Sequence, residues 1–363
     1  MTYQEIFKNS HLLLPKAIPK SKTYRSFLYD LFDKYLELLE SINPKNIQIQ
    51  RFKNRTNIAN TINIQKNFIS GLKESIELYL DGKPAQAYDV FSKIIEYRKG
   101  KFSRILNIGT LDENQTFYRI RIKKENFALG SLEMFHIPFE LRGKVTTHRY
   151  SIPGFPSLYL GKTLYVAWEE LNRPRLDSFQ SVMLKSIKPI KYLDLTAIDW
   201  GKDNLNLKAY SYLMTWPLIA ACSLKVKDYS DHFKAEYIIP QLLLQWIREN
   251  EDLDGIKYNS THIETGILKT TGELYNLVLP VKENKDEGYC KHLTGLFEMT
   301  ETISWQLLEY AMGGEIFDEP SEDEVNRKIP TIEIIKGRKY PYSYSALGSM
   351  ESYLDGMPTK KIE

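Results

Sequence analysis

Three residues of different chemistry recur at near-regular intervals in the middle of the chain: Arg149, Tyr159 and Glu170, ten and eleven positions apart. A cation, an aromatic ring and a carboxylate thus enter one short unit. Pro153-Gly154 and Pro156 mark a loop, Leu158-Tyr159-Leu160 is of strand type, and Gly161 ends it. Thr163 can cap a helix in which Leu164, Ala167, Trp168 and Leu171 recur at i, i+3, i+4 and i+7. At about 100° per residue, Glu169 falls nearly opposite that apolar face and reads as a solvated neighbour. Glu170 falls on the flank, where a carboxylate can reach a cleft edge. Upstream, the alternation of Phe117–Ile122 places Arg119 and Arg121 on one strand face, and paired guanidinium groups suit a diphosphate. Taken singly, each residue also has a structural use. Arg149 and Glu170 can form an ion pair, Tyr159 can pack on a sheet, and Ser260 can close a turn.

Other arrangements are missing from the sequence. It has no phosphate loop with Gly-Lys-Ser/Thr and no dinucleotide glycine fingerprint. The six histidines show no His-Glu-x-x-His and the cysteines no Cys-x-x-Cys, so no metal site is expected. Ser349 lacks the second glycine of a nucleophile elbow.

The elements that must position these residues change character along the chain. Tyr24, Phe27, Leu28, Leu31, Tyr35, Leu38 and Leu39 repeat at helical spacing, and Pro44 closes that segment. A second helix is predicted over Ile58–Leu80, stopped by Asp81-Gly82, and a third from Pro84 to about Lys99. Three helices with short connections read as a bundle. The basic cluster Arg51–Arg55 between the first two reads as solvated surface. Near Asp112 the period changes from 3.6 to 2. Strands are predicted at Phe117–Ile122, Leu158–Leu160, Ile190–Leu195, Gly255–Tyr258 and Leu274–Val281, the last one clearly marked. Between them fall a helix over Leu205–Leu224, interrupted near Pro217, and another over Tyr237–Ile247. Glu315–Glu324 reads as a mobile acidic loop. The expected class is α+β: a helical N-terminal domain over residues 1–110, regulatory or partner-binding, then a mixed sheet with flanking helices over 111–363.

Composition narrows the function. A hydrophobic fraction of 42% and a charged fraction of 26% are those of a soluble globular protein. A net charge of +3 supplies no broad basic field for nucleic acid. Cys222 and Cys290, both beside apolar residues, read as buried free thiols in a reducing compartment. His11-Leu12-Leu13-Leu14 is too short for a signal peptide, and Tyr212–Leu224 is too short to span a bilayer, so a cytoplasmic protein without membrane contact is expected.

The run from Arg149 to Glu170 resembles the core of the RES domain, named for its Arg, Glu and Ser. Arg149 with Tyr150, Pro153-Gly154, Tyr159 and Glu170 stand in that family's order. Phe117-Tyr118-Arg119 resembles its opening strand, and Gly255–Ser260 resembles the late strand that supplies its Ser. The helices around Trp216-Pro217-Leu218 and Glu236–Gln241 resemble those of longer members. The likeness covers residues 112–300 approximately. The helical first hundred residues have no counterpart in compact members, and Tyr150-Ser151 stands where those often carry Trp-Asn.

The resemblance implies a fold related to the ADP-ribosyltransferases and a toxin that consumes NAD as its substrate, without metal. The nicotinamide–ribose bond would be cleaved by hydrolysis or phosphorolysis, or ADP-ribose transferred to protein. It implies Glu170 as the carboxylate facing the ribose, Arg149 with Arg119 at the diphosphate, Tyr159 at the nicotinamide, and Ser260 at the ribose or beside Glu170. A cognate antitoxin is the implied partner, and a homo-oligomer is expected. Two other readings compete. Arg142 and His148 match the Arg-x4–6-His spacing of the HEPN ribonucleases, although Gly143 and Val145-Thr146-Thr147 favour an extended segment over the helix that motif needs. A nucleotide-binding module without turnover is the third.

Overall fold

A computed structural model describes residues 3–42, 58–99, 106–123, 127–196, 206–263, 274–312, 331–335 and 337–362. The segments Arg51–Arg55 and Glu315–Glu324 lie outside the described residues. In chain order the first elements are α1 (Tyr3–Lys8), α2 (Tyr24–Glu40), α3 (Ile58–Leu80) and α4 (Pro84–Lys99). Then come β1 (Ile108–Leu111), β2 (Thr116–Ile122), α5 (Ser131–Met134), β3 (Ser157–Gly161) and α6 (Leu164–Glu170). They are followed by β4 (Phe179–Ser186), β5 (Ile190–Asp194), α7 (Asn206–Cys222), α8 (Ile238–Glu249), β6 (Gly255–Asn259) and β7 (Tyr275–Pro280). The C-terminal part adds α9 (Lys291–Thr294), β8 (Phe297–Met299), β9 (Ile303–Ser304), α10 (Trp305–Met312), β10 (Thr331–Ile335), β11 (Arg338–Pro341), α11 (Ala346–Asp355) and β12 (Lys360–Lys361). The sequence does not announce β1, β4 or the five strands after β7. β4 is buried on both faces along nearly its whole length and so shows no alternation, and the others have two to five residues, too few for a period of two to stand out.

Two compact units form. The first comprises Met1–Ile108, His148–Tyr150 and Leu193–Trp246, and the second Gly109–Thr147, Ser151–Tyr192 and Ile247–Glu363. The helical unit therefore takes in α7 and most of α8, which the sequence places in the second domain. The reason lies in α7 itself, whose residues from Tyr212 to Cys222 are all buried. A helix apolar on every side has to be surrounded.

Pro217 does not interrupt α7, contrary to expectation. Proline removes the donor that the carbonyl four residues back would accept. That carbonyl, Leu213 O, accepts instead from Tyr35 Oη at 2.7 Å and from Gln65 Nε2 at 3.4 Å. Tyr35 also stacks on Trp216 at 4.7 Å. Elsewhere in this unit, Thr23 and Ser26 cap α2 reciprocally. Gly71 lets α3 meet α4, because a Cβ there would lie 2.5 Å from Ile94 Cγ2.

The second unit is built on a ten-stranded sheet in the order β1–β5–β6–β7–β3–β2–β4–β8–β12, with β9 beside β4; β10 and β11 form a separate hairpin. The ladders β2–β4, β3–β7, β6–β7 and β4–β8 are antiparallel. Alternation along them sorts the side chains. Phe117, Leu158, Leu160, Leu277 and Leu279 share one face with Phe135 and Phe139. Tyr118, Ile120 and Met183 share the other with α6 and α11. The result is a mixed α/β protein.

His136 sits in the first of these clusters, fully buried. The Cys290 backbone N–H donates to its Nε2 at 2.9 Å, so the ring proton is on Nδ1, which donates to Ile137 O at 2.8 Å. Burial depresses its pKa to about 4. The folded state thus binds no proton here between about pH 6.5 and 4, whereas the unfolded chain does. Stability present above pH 6.5 is lost as pH falls through that window, by about 3 kcal/mol. Urea unfolding at pH 7 and pH 4.5 is expected to show a smaller loss for His136→Gln than for wild type; equal losses would remove this account.

Candidate active site

The β3–α6 unit forms as its local sequence predicts, and long-range contacts then lock it. Gly161 ends β3 because the first turn of α6 folds against it: a Cβ would meet Ala167 N and Thr163 O, each at 2.8 Å. Thr163 Oγ1 accepts from Val166 N at 3.3 Å. The buried carboxylate of Glu351, on α11, accepts from Leu164 N and from Tyr342 Oη, both at 2.7 Å. A carboxylate at a helix N-terminus answers both its free N–H groups and its dipole.

The two glutamates at the other end of α6 have opposite surroundings. Glu169 is 3% exposed, not the solvated neighbour that helical periodicity suggests. Beyond α6, Asn172 and Arg173 take positive φ (58° and 55°), and the chain doubles back. Arg173 is thereby brought onto Glu169 in a bidentate pair, Nε to Oε2 at 3.0 Å and Nη2 to Oε1 at 2.9 Å. Its guanidinium also lies 5.5 Å from the Trp168 ring. Glu169 is a structural anion. Glu169→Ala is expected to cost about 2 kcal/mol in urea unfolding, below the figure for a fully buried pair because Arg173 is partly exposed. A change under about 0.5 kcal/mol, the range of surface substitutions, would contradict this.

Glu170, half-buried, turns to the sheet instead. Its Oε1 accepts from Asn276 Nδ2 at 2.9 Å, and it has no cationic partner among the described residues. Asn276 is 4% exposed in β7. The register pairs Asn276 with Gly161 of β3 and with Tyr258 of β6, and Tyr159 with Val278. Tyr159, Val278, Asn276, Tyr258 and, two residues on, Ser260 therefore lie on the α6 face of three adjacent strands. Ser260 is fully buried, and its Oγ accepts from His262 N at 3.2 Å, a turn interaction that leaves its O–H to donate. Asn276 is the residue that motif reasoning passes over. Its signal is a lone amide inside the apolar run Leu274–Leu279.

Arg119 stands at a break in the sheet. β2 meets β3 at the single pair Tyr118↔Gly161, and Tyr159 O then accepts from Arg119 Nη1 at 2.9 Å. Among the described residues, Nε of Arg119 is shielded from solvent without a hydrogen-bond partner, and no carboxylate lies within ion-pair distance. Burial, and then Arg121, lower the pKa of this guanidinium to about 9, the mark of a cation short of anionic company. Arg121, from the same strand face, is also lowered by burial. Alternation with Tyr118 and Ile120 puts Arg119 and Arg121 on the Phe117 face, opposite the α6 face that carries Tyr159, Asn276 and Ser260, so the structure does not bring these arginines onto the face of Glu170.

Arg149 falls in the first unit. Its guanidinium donates to Cys222 O at 3.0 Å and Leu224 O at 2.9 Å, and lies 5.3 Å from the Tyr237 ring. It caps the C-terminus of α7, as a cation does well. Arg142 lies in a 3-10 turn (Phe139–Lys144) and donates to Asn284 Oδ1 at 2.7 Å and Lys285 O at 2.8 Å. Residues 145–148 are not helical, and His148 belongs to the first unit. The helix needed to place Arg142 and His148 on one face is not formed. Cys222 and Cys290 are buried and free, and burial raises the Cys222 thiol to about 12. Among the described residues, no group of His, Cys, Asp or Glu gathers as a metal site, and no helix is long and apolar enough to cross a membrane.

The architecture defines a mixed α/β protein whose sheet unit holds a carboxylate and a guanidinium without an ion-pair partner among the described residues. In sequence the chain is 32% identical over 349 residues to the Bacillus subtilis (strain 168) protein named "Putative toxin YopC", covering 91% of this chain and 75% of that one. The chain belongs to the family of that protein. No protein-family model matches it, and no solved structure does.

Proposed function

We propose that the chain is a toxin of RES type that consumes NAD by breaking the nicotinamide–ribose bond, its sheet unit being the ADP-ribosyltransferase-like part. The name of its relative supports the toxin reading. The observation that carries the chemistry is the setting of Glu170: a carboxylate held by a neutral amide, with no cation cancelling it among the described residues.

Scission of this bond sends its electron pair to the pyridinium nitrogen, so nicotinamide leaves neutral and needs no general acid. Positive charge builds at the ribose carbon, as in glycoside hydrolysis. Glu170 stabilises that charge and holds a ribose hydroxyl. Water then bonds to the ribose carbon and loses a proton; phosphate or a protein side chain would serve as acceptor in the same way. Arg119, which reaches Tyr159 O through the break between β2 and β3, takes the diphosphate. Tyr159 stacks on the nicotinamide, and Ser260 donates to the ribose. In this reading Arg149 supports α7 and does not hold substrate. A cognate antitoxin, a homo-oligomeric state and a cytoplasmic location belong to the same proposal.

The test is cellular NAD after brief induction of wild type and Glu170→Ala, with growth followed in parallel. A fall in NAD and growth arrest, both absent in the variant, is the expected result. Equal NAD loss in both would overturn it.

A further inference from the structure

We infer that Asn276 is the positioning residue for the Glu170 carboxylate, orienting the anion without neutralising it. The inference rests on the NAD-consuming reading above and adds a residue that no family motif supplies.

Asn276 occupies a costly place. It is 4% exposed in β7, flanked in sequence by Tyr275 and Leu277, which are themselves buried on the opposite face. A buried amide in an apolar strand lowers stability unless it is hydrogen-bonded. Its Nδ2 donates to Glu170 Oε1 at 2.9 Å, and strand pairing on both sides fixes the backbone from which it reaches. The neighbouring Glu169 shows the alternative. There a guanidinium orients the carboxylate with two bonds and cancels its charge. Stabilising a cationic ribose requires an anion whose charge is intact, and a neutral donor is the means of holding one still. Among the described residues the one donor is on Oε1, which leaves Oε2 for a ribose hydroxyl.

Three variants of the full chain decide the matter: Asn276→Ala, Asn276→Asp and Glu170→Gln, with NAD turnover measured from pH 5 to 9. Asn276→Ala is expected to lower kcat about 30-fold with KM within threefold, since Asn276 does not touch substrate. Asn276→Asp sets two carboxyl groups at hydrogen-bond distance, which resist joint ionisation. The acid limb of its pH–rate profile is expected to move upward by at least one pH unit. A merely structural amide would instead lower the folded fraction, scaling the rate equally at every pH and leaving the limb in place. That result, or wild-type kcat in both Asn276 variants while Glu170→Gln is inactive, overturns the positioning role alone. Wild-type turnover in Glu170→Gln overturns the reading beneath it as well.

Discussion

Glu170→Gln is expected to lower NAD turnover by at least about 1,000-fold while leaving the fold intact. The size of the effect follows from what glutamine keeps and what it loses. Its carbonyl oxygen can still accept from Asn276 Nδ2, so the hydrogen bond seen at 2.9 Å survives and shape is preserved. The negative charge does not survive. A fixed charge facing a developing cation in a partly desolvated site contributes several kcal/mol to the transition state and nothing comparable to substrate binding. The loss should therefore appear in kcat, with KM little changed and the melting temperature within about 2 °C of wild type. Glu169→Gln serves as the control one residue away. It breaks a buried ion pair and should lower stability, while the activity of its folded fraction persists. Activity retained in Glu170→Gln and lost in folded Glu169→Gln would exchange their roles.

Arg119→Met should separate function from stability in the opposite sense. The guanidinium makes one hydrogen bond, to Tyr159 O, and its shielded Nε has no partner among the described residues. Burying a cation on those terms opposes folding. Methionine fills much the same length without charge, so the variant is expected to be at least as stable as wild type in urea. If the site takes a diphosphate, the same substitution should lower kcat/KM about 100-fold, mainly through KM, equivalent to about 3 kcal/mol of binding. Arg119→Lys should not restore it, because a single ammonium cannot serve Tyr159 O and a phosphate in the fork geometry of arginine. Wild-type KM in Arg119→Met would remove the diphosphate role. A large loss of stability would make Arg119 a structural residue.

Local signals fix the local elements. The bounds of α3 follow from Ile58 and from the Asp81-Gly82 stop, and α4 begins at Pro84, where a missing N–H does no harm. The β3–α6 unit is legible for the same reason: Gly161, Thr163 and the apolar spacing act within a few residues of one another. Other features have distant causes. Helix α7 passes through Pro217 because Tyr35 and Gln65, 178 and 148 positions from Leu213, take over the freed carbonyl. The first unit gathers α7 and most of α8 because an all-apolar helix must be enclosed, and no local pattern says by what.

The candidate site divides along the same line. From sequence alone come its candidate groups: Glu170 on the flank of a capped helix, Tyr159 on a strand, Arg119 and Arg121 alternating on another, and Ser260 at a strand end. Helical and strand periods suffice for those, since they depend on backbone geometry over a few residues. Charge state and company were decided by the tertiary structure. Two consecutive glutamates are chemically identical in sequence, yet a turn after α6 gives Glu169 an arginine, and a strand more than a hundred positions away gives Glu170 an amide. Whether a carboxylate is neutralised or left with its charge depends on which partner packing brings within 3 Å, and packing joins residues without regard to their distance along the chain.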